Sequence, residues 1–216
     1  MRLLSPQRPE YGVNYGPGSV GFVHKRLEFA DGLGAVVTAG IEYCTRWYRK
    51  PDYPVVTHVL GASGENLCIE ANADGVDEDS LSPYFNDPKY TVYFRKPFGL
   101  TDSIAAAIVA KARTYVGCKY DDPLILADLL NNTLLGHAIN GMTHDQVAEW
   151  LVKVMANPRK EICDEVWVLA LAAQTQYAGL GTLAVPPALN DPQMLFGDER
   201  IWANDVVVIP GVKPTG

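Results

Sequence analysis

The stretch VVTHVLGASGENLCIEANADGV, residues 55–76, restricts the fold more than any other part of the chain. Two apolar runs, 55–62 and 66–73, flank Ser63-Gly64-Glu65, and such runs around a glycine-containing turn read as a β-hairpin. A three-residue loop with Gly64 in the left-handed conformation sets His58 opposite Glu70 and Leu60 opposite Cys68. Opposed residues of an antiparallel pair stand about 4.5–5.5 Å apart at Cβ and share a face. A carboxylate so placed accepts the proton of one imidazole nitrogen, fixes the tautomer and leaves the other nitrogen as a base. These are the base and the orienting partner of a nucleophile–base–orienter set. Cross-strand His–Glu pairs also occur on solvated sheet faces with no chemical role, so the pair needs a nucleophile to mean more.

Strand patterns recur at 19–26 (SVGFVHKR), 89–96 (KYTVYFRK) and 205–210 (DVVVIP). The clearest helix is 100–117, with Thr101 or Asp102 as N-cap, Lys111 and Arg113 near its end, and Gly117 beyond it. Further helical patterns cover 122–132, 143–156 and 163–176, whereas 1–18, rich in Pro, Gly and Tyr, reads as an irregular arm. Strands come mostly early and helices mostly in the middle, which predicts an α+β domain rather than a doubly wound parallel sheet. With 216 residues, and neither a repeat nor a low-complexity linker, a single domain is expected.

Composition narrows the partners. Hydrophobic residues make up 48% and charged residues 20%, which argues against disorder of the whole chain. A net charge of −7 disfavours nucleic acid and anionic membranes as the main partner. No apolar run of about 18 residues is present, and the start MRLLSPQRPEYG lacks the apolar core of a secretory signal. The expectation is a cytoplasmic protein without a membrane span, with phage-encoded or specialised export leaving no such mark.

Four cysteines, Cys44, Cys68, Cys118 and Cys163, form no C-x-x-C pair and read as free thiols. Cys163 stands where a polar turn meets an apolar helix, and a helix N-terminus favours thiolate and offers free N–H groups to an oxyanion. A helix beginning at Asn157-Pro158 instead places Cys163 inside the helix and weakens that advantage. Cys44 lacks a helix start before it, Cys68 lies in a strand, and Cys118 follows a helix C-terminus, so each ranks lower. His24 follows a strand and reads as a solvent or sheet-edge residue. His137 and His144, with Asp145, fall within 122–160 and are not read as a metal site; Arg46, Arg49 and Lys50 read as a solvated helix end, with a hold on an acidic substrate group as the alternative. The glycine-rich runs lack the Lys-Ser/Thr of a phosphate loop.

Taken in order, Thr57-His58-Val59, Ile69-Glu70-Ala71 with Gly75-Val76, Tyr93-Phe94-Arg95, Gly117-Cys118-Lys119-Tyr120-Asp121 and Cys163-Asp164-Glu165 resemble the permuted NlpC/P60 papain-like hydrolases, the YiiX/YebB-like group. The likeness runs over about residues 55–170, and the order of the motifs is more specific than any one of them. It implies a papain-like fold, a five- or six-stranded antiparallel sheet with the Cys163 helix packed against it, and Cys163 as nucleophile, His58 as general base and Glu70 as the orienting residue. It also implies Tyr120 beside the nucleophile, in substrate or oxyanion binding; the plain alternative for Tyr120 is a packed turn residue. The implied activity is cysteine-dependent cleavage of an amide in a peptide, a cell-wall peptide or an N-acyl amide. Neither a metal nor an organic cofactor is called for. A non-catalytic peptide- or lipid-binding module on the same fold, or an acyltransferase or thioesterase, is the alternative. Two departures stand out. Asp164 replaces the usual Ser after the nucleophile, where its charge raises the thiol pKa unless it turns outward. Residues 122–160 form a helical insertion.

Overall fold

Alternation along the hairpin decides which side chains enter which core. The computed structural model describes residues 1–26, 53–72, 75–118, 164–184 and 190–213. Its strands are β1 (Arg2–Leu3), β2 (Val20–Lys25), β3 (His58–Gly64), β4 (Leu67–Asn72), β5 (Gly75–Ser80), β6 (Tyr90–Pro97) and β7 (Trp202–Pro210). Its helices are α1 (Ser82–Asn86), α2 (Asp102–Arg113), α3 (Glu165–Ala172) and α4 (Pro192–Gly197), with a 3-10 turn at Gly181–Ala184. The predicted helices 122–132 and 143–156, the mixed segment 29–50, and the candidate residues Cys163, Tyr120 and Cys44 lie outside the described residues.

Among the described residues one seven-stranded sheet forms, in the order β1-β7-β6-β2-β3-β4-β5. All neighbours are antiparallel except β1 and β7, which run parallel. The molecule is α+β with a mixed sheet, two features of which correct the sequence reading. Arg2 and Leu3 leave the supposed irregular arm to pair with Asp205 and Val206, held by a two-pronged Arg2–Asp205 ion pair at 2.7 and 2.6 Å. The acidic run Gly75–Ser80 forms β5 along the whole of β4.

The hairpin register also differs from expectation. Leu60 faces Glu70 and Ala62 faces Cys68, a slip of two residues. A bulge between Ala62 and Gly64 absorbs Ser63, so the turn tightens onto Glu65 and Asn66. Gly64 therefore needs no left-handed backbone and has none. Side chains alternate with period two, so a slip of two keeps His58 and Glu70 on one face, now as diagonal neighbours.

The sheet divides two apolar layers. Val20, Phe22, Val59, Ile69, Ala71, Val76 and Val206 meet the helices on one side, against Ile108, Val109, Trp167, Leu171 and Phe196. Val23, Leu60, Ala62, Cys68, Val92, Phe94 and Ile209 face the other side, covered by Tyr15, Leu81, Phe85 and Tyr84. Helix α2 follows from its cap and spacing: Thr101 Oγ1 accepts the Ile104 N–H, Asp102 opens the first turn, and Ala105, Ile108, Val109 and Ala112 bury one stripe. It ends at Arg113, earlier than predicted, and Gly117 takes its positive φ three residues beyond the cap at Thr114. Helix α3 is held by Trp167, whose indole N–H donates to the Ile69 carbonyl at 3.1 Å while its ring fills the space over Gly61.

Arg95 lies fully buried on the helical side. Its guanidinium donates to the Phe196 carbonyl and to the Ala203 carbonyl at 3.2 Å, with the Phe196 and Trp202 rings 5.6 and 5.7 Å away. Burial pushes its pKa down to about 10, so the cation persists at neutral pH and ties α4 to β6 and β7.

Candidate functional site

His58 opens β3, and its imidazole projects from the face opposite α2 and α3, as does the side chain of its cross-strand partner Val23. Glu70 lies one strand over on the same face. The two meet through His58 Nε2 and Glu70 Oε2 at 2.5 Å. A second donor reaches the same oxygen: the Tyr84 hydroxyl, also at 2.5 Å. The Tyr84 ring lies beside the imidazole, centroids 6.3 Å apart and planes 17° apart. Side-chain exposure is 20% for His58 and 9% for Glu70, so the imidazole touches solvent while the carboxylate is nearly enclosed.

Burial alone pushes the Glu70 pKa up, but the bond and charge of His58 and the Tyr84 hydroxyl outweigh it, and the net shift is downward. Glu70 is thus a buried carboxylate kept ionised by its donors. With Nε2 committed to that carboxylate, the neutral ring carries its proton on Nε2 and its lone pair on Nδ1. Burial and the proximity of Glu70 push the Tyr84 hydroxyl upward, so it stays protonated and serves as a donor.

Cys68 shares this face and is fully buried. Burial, with Glu70, Asp79 and Glu78 nearby, drives its thiol pKa well up, which makes it an inert core thiol. Cys118 is exposed, its backbone paired with Val76 beside the start of β5. His24 is half-buried, with Nδ1 3.1 Å from the Val55 carbonyl. Among the described residues no group of three or more His, Cys, Asp or Glu side chains is arranged to hold a metal ion, and no helix is long and apolar enough to cross a membrane.

Of the residues singled out in the sequence, the structure brings His58 and Glu70 together; Cys163 and Tyr120 lie outside the described residues. The Asp164 carbonyl accepts the Trp167 and Val168 N–H groups at 3.0 and 2.8 Å and so starts α3. Its side chain does not turn outward: Asp164 is 1% exposed. Helix α3 packs on the sheet face bearing Val59 and Ile69, whereas His58 and Glu70 project from the opposite face. Sequence reasoning missed Tyr84. It sits in the five-residue helix Ser82–Asn86, too short for its periodicity to say where its rings point.

Compared with protein-family models, with curated proteins and with solved structures, the chain finds no match in any of the three.

Proposed function

We propose that the chain is a cysteine-dependent amide hydrolase in which His58, oriented by Glu70, serves as the base for Cys163. The observation that carries this reading is the His58 Nε2–Glu70 Oε2 bond, which leaves Nδ1 as a proton acceptor at the rim of the sheet. In the reaction Nδ1 takes the Cys163 thiol proton and the sulfur adds to the substrate carbonyl. The tetrahedral intermediate then expels the amine, which receives that proton from the imidazolium. Water adds to the resulting thioester with His58 again as base, releasing the acid and the free thiol. Tyr120 contributes to substrate or oxyanion binding, and the motif order shared with permuted papain-like hydrolases supports both assignments. Because α3 lies across the sheet, the reading requires the sulfur to reach the imidazole around the end of β3, where His58 is the first residue.

That same placement of α3 favours a second reading, a binding module of this fold with no thiol chemistry. Alkylation separates the two. Iodoacetamide is expected to modify Cys163 selectively at a pH well below the ordinary thiol pKa of about 8.5, and His58→Ala is expected to abolish that selectivity. Against a panel of peptide and acyl amides, Cys163→Ala should remove turnover and His58→Ala should lower it roughly 10²–10⁴-fold. A Cys163 that reacts no faster than Cys118 at every pH establishes the binding module instead.

A further inference from the structure

We infer that Tyr84 is a positioning residue for His58: its hydroxyl pins the Glu70 oxygen that the imidazole uses, and its ring sets the plane of that imidazole. A carboxylate oxygen offers two lone-pair directions, and here His58 Nε2 takes one and the Tyr84 hydroxyl the other, each at 2.5 Å. The two donors come from different elements, β3 and α1, so the Glu70 carboxylate cannot rotate without breaking one of them. The near-parallel Tyr84 ring, its plane 17° from that of the imidazole, restricts the other half of the pair.

Helix α1 is itself anchored. The Leu81 N–H donates to the Asn66 carbonyl at 3.0 Å and the Ser82 N–H to Ser80 Oγ at 3.1 Å. Phe85 is buried against Tyr15 and Phe94. Tyr84 also meets the Tyr90 ring edge-on at 5.2 Å. Among the described residues, the other titratable groups on this face are Asp77 opposite Glu70, Asp79 opposite Cys68, the Cys68 thiol, Tyr15, Tyr90, and Lys25 in register with Tyr90. Of the hydrogen bonds that favour the ionised carboxylate, Tyr84 supplies the one that does not come from His58.

The chemical use of this positioning rests on the hydrolase reading; the positioning itself does not. Tyr84→Phe keeps the ring and removes the hydroxyl. Its expected signature is a fall in the Nε2–H tautomer fraction of His58, read from imidazole ¹⁵N shifts at neutral pH, with an upward move of the Glu70 carboxyl titration read by ¹³C. Incorporating 3-fluorotyrosine at position 84, a stronger donor of the same shape, keeps the test open if the Phe variant does not fold; it should move the Glu70 titration downward. Unchanged tautomer and unchanged Glu70 titration in these proteins overturn the inference, even where Cys163 alkylates rapidly and in a His58-dependent way. A Cys163 that alkylates no faster than Cys118 defeats the hydrolase reading alone, because the ¹⁵N and ¹³C readouts do not involve the sulfur.

Discussion

Glu70 concentrates the electrostatics of the described site in one side chain. Its folded pKa lies below the ordinary carboxylate value, because the donors of His58 and Tyr84 outweigh burial. Such a group adds stability that is complete above its unfolded pKa of about 4.3 and disappears as pH falls through its folded value. Glu70→Gln is therefore expected to unfold at lower urea than the unmodified protein at neutral pH, with the two midpoints converging as pH drops below about 4. A gap that stays constant across that range would show that Glu70 stabilises by packing rather than by charge. That His58 and Glu70 share a face was legible in the sequence because parity survives a two-residue slip. Their true register was not, since it depends on a bulge at Ser63 that no local pattern announces. Tyr84 was illegible for a related reason: a five-residue helix has too little periodicity to say where its rings point.

Elements with a long repeat or a good cap read well. Helix α2 and strands β2, β6 and β7 fall within a few residues of their expected limits, since each carries either a buried stripe or a run of β-branched and aromatic residues. Strands β1 and β5 did not read at all. One is two residues long, and the other, Gly-Val-Asp-Glu-Asp-Ser, carries side chains that favour turns and becomes a strand through its pairing with β4. The join between α3 and the hairpin is a matter of fit. A Cβ at Gly61 would stand 2.1–2.3 Å from three carbons of the Trp167 indole, whereas one at Gly64 would meet Leu67 at an ordinary 3.4 Å. Gly61→Ala is expected to cost the upper end of roughly 1–3 kcal/mol and Gly64→Ala close to nothing, both measured by urea unfolding. Equal losses at the two positions would mean that Trp167 can swing aside.

For the molecule as a whole, the sheet acts as a partition. The helical layer lies on one side, and the His58–Glu70–Tyr84 group lies on the other beneath a thinner cover formed by α1 and the Tyr15 arm. The strand order has a temporal side as well. Strand β7 sits between β1 and β6, so both wait for residues 202–210 before either edge is satisfied. During synthesis the nascent chain can close β2 through β6 early, but it carries the outer edge of β6 bare until β7 leaves the ribosome. A polypeptide stopped at residue 201 also lacks Trp202, Val206 and Ile209, which are buried in the two layers. It should self-associate through that open edge, as light scattering would reveal; a monodisperse monomer would mean that something other than β7 can shield it. The order in which this chain is made thus leaves one seam of the sheet open until residues 202–210 have emerged.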